Sequence, residues 1–296
     1  MADVDLTGEE YEKCREAGEI LATVLEEASD RIEVGANLLD VAAFAEERTR
    51  ELGGEVAFPT NISVDEEASH ATPGRDDDET FGEDLVCLDV GVHVDGYIAD
   101  AATTVDLRGV PDLVEASEAA LDAALDAVEA GVHTGEVGAA IEDAIDEYGY
   151  NPIVNLSGHG LAHYDAHTDP NIPNRAVSSG VELEAGMVLA IEPFATTGSG
   201  KVGEGAEEEI YELLDPKRVR NRRARQLQDT IEEDFGELPF AARWLDSRRA
   251  EMALQNLKQA DALRGYPVLK ESDGELVSQA EHTVIVTEDG CEITTA

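Results

Sequence analysis

The sequence predicts an α+β fold in which two similar halves pack together. Its 296 residues are enough for one large domain, or for one domain that carries an insertion. Apolar residues make up 42% of the chain, which is enough to bury a substantial core. Helical and strand patterns follow one another as two helices, strands, two helices and strands. That order predicts the two halves, although no internal repeat is strong enough to prove a duplication.

Four helices are predicted in the first half of the chain, at residues of about 7–29, 37–52, 111–131 and 134–148. Thr7 and Glu10 form a capping-box pattern before the first helix. The second helix ends before Gly53, because glycine is the usual residue just beyond a helix. Pro111 opens the third helix, and Thr134 caps the fourth.

Four strands are predicted at residues 85–94, 97–105, 186–194 and 278–287. The first two are joined by Asp95-Gly96, a strong two-residue signal for a hairpin. In that register Asp89 and Asp100 are diagonal neighbours on one face, about 7–8 Å apart at the backbone. Two carboxylates that reach inward from there can converge on a shared pair of cations. The alternative, in which both face solvent, is left open by the spacing alone.

Residues 215–270 differ in character from the rest of the chain. They hold 12 basic and 9 acidic residues, whereas the whole chain has a net charge of −45. They also contain the single tryptophan, Trp244, and look mainly helical. We predict that they form an insertion subdomain, and that residues 1–214 and 271–296 form the catalytic domain. The basic run at 217–225 could contact RNA, although such a run is more often a solvated face or a partner for an acidic surface.

The acidic charge is the extreme feature of the composition, with 66 acids against 21 bases. A disordered acidic chain is excluded by the apolar content and the clear periodicity. We predict a folded protein adapted to molar salt, in which the Debye length falls to about 3 Å and self-repulsion is screened. Such a surface should repel nucleic acid and anionic membranes, so we expect no specific nucleic-acid partner.

Nothing in the sequence indicates export or a membrane span. The first twenty residues have no basic start and no apolar core, so we do not expect a signal peptide. No stretch approaches the roughly 18 consecutive apolar residues of a membrane helix. The three cysteines are far apart and form no CxxC pair, which argues against a disulfide framework or a thiolate zinc site. We therefore expect a cytoplasmic protein.

Two further acids interrupt apolar strands: Glu192 lies within LAIEPF, and Glu281 leads into the strand of QAEHTVIV. Each alone is weak evidence, because an edge strand can point an acid outward. Together with Asp89 and Asp100 they make four carboxylates at strand positions. Oxygen-rich ligands with one imidazole suit Mn, Fe, Co or Zn in a two-metal site. Two cations about 3.5–4 Å apart can share a bridging hydroxide and polarise a carbonyl.

The imidazole comes from NLSGHGLAHYDAH, in which His159, His163 and His167 are spaced by four. On a helix this spacing would line one face and suggest a three-histidine zinc site. Gly158 and Gly160 make a regular helix improbable, so we reject that interpretation.

Five motifs in order give the chain a resemblance to the type 2 methionine aminopeptidases. They are PTNIS followed by His70, LDVGVHVDGYIAD, NLSGH with a second histidine eight residues on, AIEPF, and AEHT. Their order and spacing agree over about residues 55–287, and five together are far more specific than any one. The resemblance implies the pita-bread fold, with two pseudo-symmetric halves and the helical subdomain that separates type 2 from type 1. The short N-terminus resembles the archaeal form, and the composition resembles that of salt-loving archaea.

The resemblance also implies a catalytic site that holds two divalent ions (Co, Mn, Fe or Zn). Glu192 would move a proton as well as bind metal. His70 would stabilise the scissile amide and its tetrahedral intermediate, and His167 would contact the substrate near the scissile bond. The implied metal ligands are Asp89, Asp100, His159, Glu192 and Glu281.

Other aromatic and histidine residues carry weaker implications. Phe58 and Tyr266 match positions that line the methionine pocket, where apolar walls suit a thioether side chain. For an aromatic residue taken alone, packing in the core would be the ordinary use. His163 matches no functional position, so we predict a bystander. His93 falls on the same face of the hairpin as the implied ligands, but it matches no ligand. We expect it at most to support the ligands without touching the metal ions.

The implied function is removal of the initiator methionine from nascent polypeptides whose second residue is small, by attack of a metal-activated hydroxide. A monomer is expected, with transient ribosome contact. One alternative is a proline-specific peptidase on the same fold. The other is a non-catalytic protein of this fold that binds ribosomes or RNA. A phosphate loop at GSGK is rejected, because Ala195 stands where its first glycine should be.

Overall fold

Residues 7–214, 219–245 and 250–296, which the computed structural model describes, form helices and four antiparallel sheets. The helices are α1 Glu9–Ser29, α2 Leu38–Glu51, α3 Pro111–Ala127, α4 Thr134–Tyr148, α5 Arg222–Asp234 and α6 Ala250–Gln259. The strands are β1 Glu55–Val64, β2 Glu67–Ser69, β3 Leu85–Val94, β4 Tyr97–Asp106, β5 Asn151–Pro152, β6 Ser157–Ala162, β7 Asp165–Pro173, β8 Val188–Ile191, β9 Phe194–Thr196, β10 Gly203–Leu213, β11 Phe240–Ala241, β12 Leu263–Lys270, β13 Val277–Gln279, β14 His282–Thr287 and β15 Gly290–Ile293.

Each half of the catalytic region packs a pair of helices on an antiparallel sheet. In the first half, α1 and α2 cover the sheet β1-β3-β4, with Leu21 and Leu88 among the buried residues of that core. In the second half, α3 and α4 cover the sheet β15-β14-β8-β6-β7, whose core includes Leu113, Ile141 and Leu189. The predicted arrangement of two halves is therefore confirmed.

The two halves meet along β4. Ile98 on that strand belongs to the same buried cluster as Leu161, Val188 and Ile285 of the second half. Two hydrogen bonds also link the halves. The Thr283 hydroxyl accepts the backbone N–H of Asp100 and donates to the Asp100 carbonyl, both at 2.7 Å. The inner faces of the two sheets are thus fixed against each other where the predicted ligands lie.

Both late strands are broken where a single strand was predicted. The run predicted at 186–194 forms β8 and β9, which are separated at Glu192-Pro193 and belong to different sheets. The run predicted at 278–287 likewise forms β13 and β14, separated at Ala280-Glu281. β8 pairs with β14 in one sheet, and β9 pairs with β13 in another. The two segments of the chain therefore pass from one sheet to the other side by side. Each crossing carries one predicted ligand.

Two predicted helix caps are wrong by one residue. Gly8, not Thr7, holds the N-cap position of α1. Thr134 is the first helical residue of α4, and His133 precedes it as the N-cap. The hydroxyl of Thr134 instead accepts the backbone N–H of Val181 at 3.3 Å. The helices themselves were predicted because their apolar periodicity does not depend on the cap.

The insertion at 215–270 is only partly helical. Its described part contains α5 and α6, but Leu263–Lys270 forms β12, which pairs with β10 and β2 of the catalytic region. The mainly helical prediction is wrong for that stretch. Pro267 obscured the strand, since proline suggests a break, yet here it faces Glu208 at an irregularity of the ladder. The division into two domains stays a prediction.

The basic run at 217–225 is partly described. Lys217 and Arg218 lie outside the described residues. The remaining arginines of the run are exposed around the start of α5: Arg220, Arg222, Arg223 and Arg225.

Among the described residues, no helix combines the length and the apolar character that a membrane span requires.

A buried ion pair joins the insertion to the first half. Arg243 contacts the carboxylate of Glu46 on α2, and the side chains are only 6% and 7% exposed. Trp244 Nε1 donates to the same carboxylate at 2.7 Å. Arg243 Nη1 also donates to the Thr72 hydroxyl at 2.7 Å and to the Pro73 carbonyl at 3.0 Å. The pair therefore holds the insertion beside the loop that follows His70.

We expect Arg243→Met to lower the free energy of unfolding by about 3–5 kcal/mol, because it leaves the Glu46 carboxylate buried without a cation. Urea unfolding in molar KCl measures this loss. The matched control is Arg48→Met, whose pair with Glu27 is screened by solvent and should contribute far less to stability. Equal losses in the two variants would contradict the prediction.

Candidate metal centre

The hairpin of β3 and β4 brings two carboxylates together as its register predicted. Asp89 lies opposite Ala102 and Asp100 lies opposite Gly91, so the two aspartates are diagonal neighbours on one face. Their side chains face the cavity between the halves and not the solvent. The prediction that the two acids converge is confirmed, and the solvent-facing alternative is excluded.

His159 points its free ring nitrogen toward Asp100 and Glu192. Its Nδ1–H donates to the Gly160 carbonyl at 3.3 Å, which leaves the lone pair on Nε2. Nε2 lies 3.8 Å from Asp100 Oδ2 and 3.5 Å from Glu192 Oε1. Burial lowers the pKa of His159 to about 4, so the ring is neutral at pH 7 and able to bind a metal ion.

The strand that carries His159 depends on its two glycines. A Cβ on Gly158 would lie 2.4 Å from the Ala190 carbonyl oxygen, and one on Gly160 would lie 2.5 Å from that of Asp169. β6 can therefore run closely between its neighbours only with glycine at these positions. The rejection of a three-histidine helix is confirmed, since His159 lies on β6 and His167 on β7.

Glu281 completes the group from the crossing between β13 and β14. Its backbone N–H donates to the Ala102 carbonyl at 3.0 Å, and Gln279 Nε2 donates to its Oε2 at 3.1 Å. Ligand atoms of Asp100, His159 and Glu281 all lie within 4.8 Å of one another, and all three residues are buried. The Gln279 amide therefore fixes the direction of the Glu281 carboxylate.

Burial disfavours the charged form of each of the four acids. Burial raises the pKa of Asp89 to about 7. Burial, followed by repulsion from neighbouring acids, raises the pKa values of Asp100, Glu192 and Glu281 well above the ordinary range. One carboxylate oxygen of Asp89 and one of Asp100 are buried with no hydrogen-bond partner among the described residues. Buried carboxylates need cations, and neutral imidazole with carboxylates suits divalent ones, so the donor set fits a metal centre.

A cavity of about 200 Å³ opens beside these ligands. No described lysine or arginine lines it. The cavity walls include Phe58, His70, His167 and Tyr266, which the sequence analysis assigned to substrate contact. The residues that were predicted to act together therefore surround one cavity.

His70 is held as a hydrogen-bond acceptor toward the cavity. Its Nδ1 lies 3.3 Å from the Pro267 carbonyl, which can only accept, so Nδ1 carries the proton and Nε2 the lone pair. Burial lowers its pKa, and the Tyr266 ring packs edge-on at 5.1 Å between centroids. Its backbone has φ of 63°, which is uncommon for a residue with a side chain. A neutral His70 with its proton on Nδ1 can accept from an N–H but cannot donate to an oxyanion, so the implied stabilisation of the tetrahedral intermediate would act at its nitrogen.

His167 lies against His159, with 4.3 Å between the ring centroids. The residue is exposed and lines the cavity. Desolvation and then the neighbouring His159 lower its pKa. It is therefore neutral and open to a molecule in the cavity.

Phe58 and Tyr266 form two walls of the cavity. The Phe58 ring packs on Gly91, where an added Cβ would lie 2.2 Å from a ring carbon. The Tyr266 hydroxyl donates to Glu212, which fixes the tilt of the ring. Burial, followed by this hydrogen bond, raises the pKa of Tyr266 to about 12.

Two histidines lie away from the ligands. His93 is on the same strand as Asp89, but Gly91 and the Phe58 ring on it lie between them. It faces a separate cavity beside Tyr164. His163 Nε2 donates to the Asp95 carbonyl at 2.9 Å near the surface.

Two residues at the site, and one in the GSGK loop, were not predicted from the sequence. Gln279 orients Glu281 as described, and Asn61 presents a buried amide to the cavity. Glu271 fills the glycine-rich GSGK loop, where its carboxylate accepts the N–H of Gly200 at 2.7 Å. That internal carboxylate takes the donors a phosphate would need, which agrees with the rejection of a phosphate loop. Pro59, in the middle of a strand, was the signal that could have drawn attention to Asn61.

Comparison with known proteins relates nearly the whole chain to one family of enzymes. The model for metallopeptidase family M24 matches residues 12–288. A methionine aminopeptidase from Archaeoglobus fulgidus is 53% identical over 285 residues, covering 96% of this chain and 98% of that relative. A crystal structure of a methionine aminopeptidase from Thermotoga maritima is 26% identical, with a TM-score of 0.74 over 99% of both chains.

A thermophilic Arx1 structure has a TM-score of 0.86 at 18% identity, covering 98% of this chain and 91% of that one. At that identity the likeness shows the fold alone. Together these matches confirm the pita-bread fold that the resemblance implied.

Proposed function

The chain belongs to metallopeptidase family M24, and we propose that it removes the N-terminal methionine from nascent proteins. The observation that carries this function is the 53% identity to a methionine aminopeptidase over nearly the full length of both chains. The enzyme is a metal-dependent hydrolase. The proline-specific and the non-catalytic alternatives are not favoured, because the curated relatives that match nearly the full chain at 45–53% identity are methionine aminopeptidases.

Divalent metal ions are the cofactor. We propose two ions, because four carboxylates would be balanced in charge by two divalent cations. When bound, the ions would polarise the scissile carbonyl and lower the pKa of water. Co, Mn, Fe and Zn all suit the donor set. The proposed ligands are Asp89, Asp100, His159, Glu192 and Glu281.

We propose that Glu192 moves the proton during hydrolysis. Its carboxylate borders the cavity, and its side chain is 14% exposed, so a water molecule can reach it. It would take a proton from the attacking water and deliver it to the leaving amine.

The two histidines would hold the substrate on either side of the scissile bond. His70 Nε2, as an acceptor, would receive the N–H of the scissile amide and support the nitrogen as it becomes a leaving amine. His167, neutral beside His159, would contact the substrate close to the same bond. Phe58 and Tyr266 would enclose the thioether side chain between apolar walls.

We propose that the enzyme is of type 2, because helices α5 and α6 lie between the motifs that carry Glu192 and Glu281. We propose adaptation to molar salt from the net charge of −45. A cytoplasmic location is supported by three described cysteines that are all free. We expect a monomer with transient ribosome contact. Light scattering and ribosome sedimentation, both in molar KCl, measure these last two properties.

The function is tested by release of free methionine from a Met-Ala-Ser peptide in about 2–3 M KCl, where surface charges are screened. Chelator-stripped protein is compared with and without added Co²⁺ or Mn²⁺, beside an Ala-Pro-Ala peptide. We expect metal-restored cleavage of the methionine peptide alone. Cleavage of the proline peptide instead would support the proline-specific alternative. Folded, metal-loaded protein that cleaves neither peptide would contradict the proposal.

A further inference from the structure

Asn61 places a buried amide with an unpartnered oxygen in the catalytic cavity. The residue is 5% exposed, and its Oδ1 has no hydrogen-bond partner among the described residues. The side chain lines the cavity together with Asp89 and His70. Buried side-chain acceptors are almost always satisfied, and an unsatisfied one is costly. An acceptor kept in that condition at the edge of a cavity points to a donor on the molecule that enters.

A β-bulge turns Asn61 toward the ligands. Phe58 lies opposite Gly91 and Asn61 lies opposite Asp89, so three steps along β1 match two along β3. Without the extra residue, Phe58 and Asn61 would point to opposite faces of the sheet. With it, both face the cavity, and Pro59 lies in the bulged stretch.

The backbone around Asn61 is held on both sides. The Thr60 carbonyl accepts the Thr72 hydroxyl at 2.7 Å, and the Ile62 N–H donates to the Ala71 carbonyl at 2.7 Å. The position of the amide is therefore set by the loop that also carries His70. A fixed acceptor directly across from Asp89 is suited to recognition.

The substrate offers few groups that could satisfy this oxygen. A methionine side chain has no N–H or O–H. The scissile amide has one N–H, and the His70 lone pair faces the cavity to receive it. The remaining donor of the N-terminal methionine itself is the free α-amine, which is also the group that distinguishes a chain terminus from an internal peptide bond.

We propose that Asn61 Oδ1 accepts a hydrogen bond from the α-amine of the N-terminal methionine. This inference rests on the proposed function and assigns Asn61 as a substrate-binding residue of that site. The amide supplies a neutral acceptor that the carboxylates do not, since metal binding occupies their oxygens. It therefore contributes to the selection of free N-termini.

Two alcohols that differ only in the amine test the assignment. Methioninol keeps the α-amine, and 4-(methylthio)butan-1-ol lacks it. Inhibition constants are measured for both on the metal-loaded enzyme and on Asn61→Ala. We expect the variant to bind methioninol about tenfold more weakly, the effect of one hydrogen bond, and the deamino alcohol within about twofold of wild type. Asn61→Asp keeps an acceptor oxygen and should retain most of the discrimination.

Gln228→Ala is the matched control. Gln228 is also a buried amide with an unpartnered oxygen, but it lies on α5 and does not line the cavity. It should leave the ratio of the two inhibition constants unchanged.

Equal weakening of both alcohols by Asn61→Ala would overturn the inference, because the residue would then only pack the wall. A fall in Mn²⁺ affinity by calorimetry, with the ratio unchanged, would overturn it in favour of a metal ligand. If the wild-type enzyme fails to release methionine, that result would instead contradict the proposed function. Circular dichroism checks that each variant is folded.

Discussion

Glu192→Gln is expected to lower kcat for Met-Ala-Ser by about 10³-fold or more, at saturating metal. The substitution keeps the size of the side chain and one oxygen that can bind a cation. It removes the ability to take up and release a proton, and general acid–base catalysis contributes about 10²- to 10⁴-fold. Because Phe58 and Tyr266 would still enclose the methionine, KM should change by only a few-fold.

The measurement separates loss of chemistry from loss of metal. Metal content and Mn²⁺ affinity are determined on the same variant, and the assay is repeated across a range of metal concentration. The matched control is Glu184→Gln, an exposed glutamate just before β8, which should have wild-type kcat. A Glu192→Gln enzyme within about fivefold of wild type at saturating metal would exclude the proton-transfer role.

The convergence of Asp89 and Asp100 could be predicted because it depends on local rules. Asp95-Gly96 fixes the turn, the turn fixes the register, and the register decides which residues share a face. No contact from elsewhere in the chain was needed. The same reasoning identified the glycines around His159 as incompatible with a helix.

Glu192 and Glu281 required a different kind of information. Glu192 lies within an apolar run and Glu281 leads into one, and each run reads as one continuous strand. Yet each residue marks the point where the chain leaves one sheet for another. That crossing arises from the pairing of β8 with β14 and of β9 with β13, which are distant in sequence. Only the family resemblance assigned them as individual metal ligands, because the local sequence pattern does not show where two sheets meet.

Asn61 and β12 were missed for a related reason. A bulge changes the face of every residue beyond it, and its position depends on the partner strand. Pro59 and Pro267 both lie at irregular points of their ladders, where proline is tolerated, although in a sequence each suggests a break.

Removal of the metal ions should make the protein less stable as the pH rises from 6.5 to 8. In the metal-free protein, burial raises the pKa of Asp89 to about 7 and raises those of Asp100, Glu192 and Glu281 as well. In an unfolded chain these acids titrate near pH 4. Between those values the folded state binds more protons than the unfolded state.

The sign of the pH dependence follows from that difference. The stabilisation by bound protons is complete below pH 4 and is lost as the pH rises through the folded pKa values. Histidines with lowered pKa values, such as His159 at about 4, act in the opposite direction up to about pH 6.5. Above pH 6.5 this opposing contribution fades as the unfolded histidines lose their protons, so the acids dominate the slope from 6.5 to 8.

Urea unfolding of chelator-treated protein at pH 6.5 and 8 measures the effect. Each proton that the folded state retains should lower stability by about 1.4 kcal/mol per pH unit. Asp100→Asn removes one of the four acids and should reduce the slope. A metal-free protein whose stability is flat or rises across this interval would mean that the acids are not strained by burial.

Metal-loaded protein should behave in the opposite way. Metal ions bind the deprotonated carboxylates and the neutral imidazole, so their affinity rises with pH as protons compete less. The stabilisation by bound metal grows with affinity at a fixed free concentration. The loaded and stripped proteins should therefore differ most at pH 8. The same four acids that destabilise the empty site at that pH are then the source of its affinity for cations.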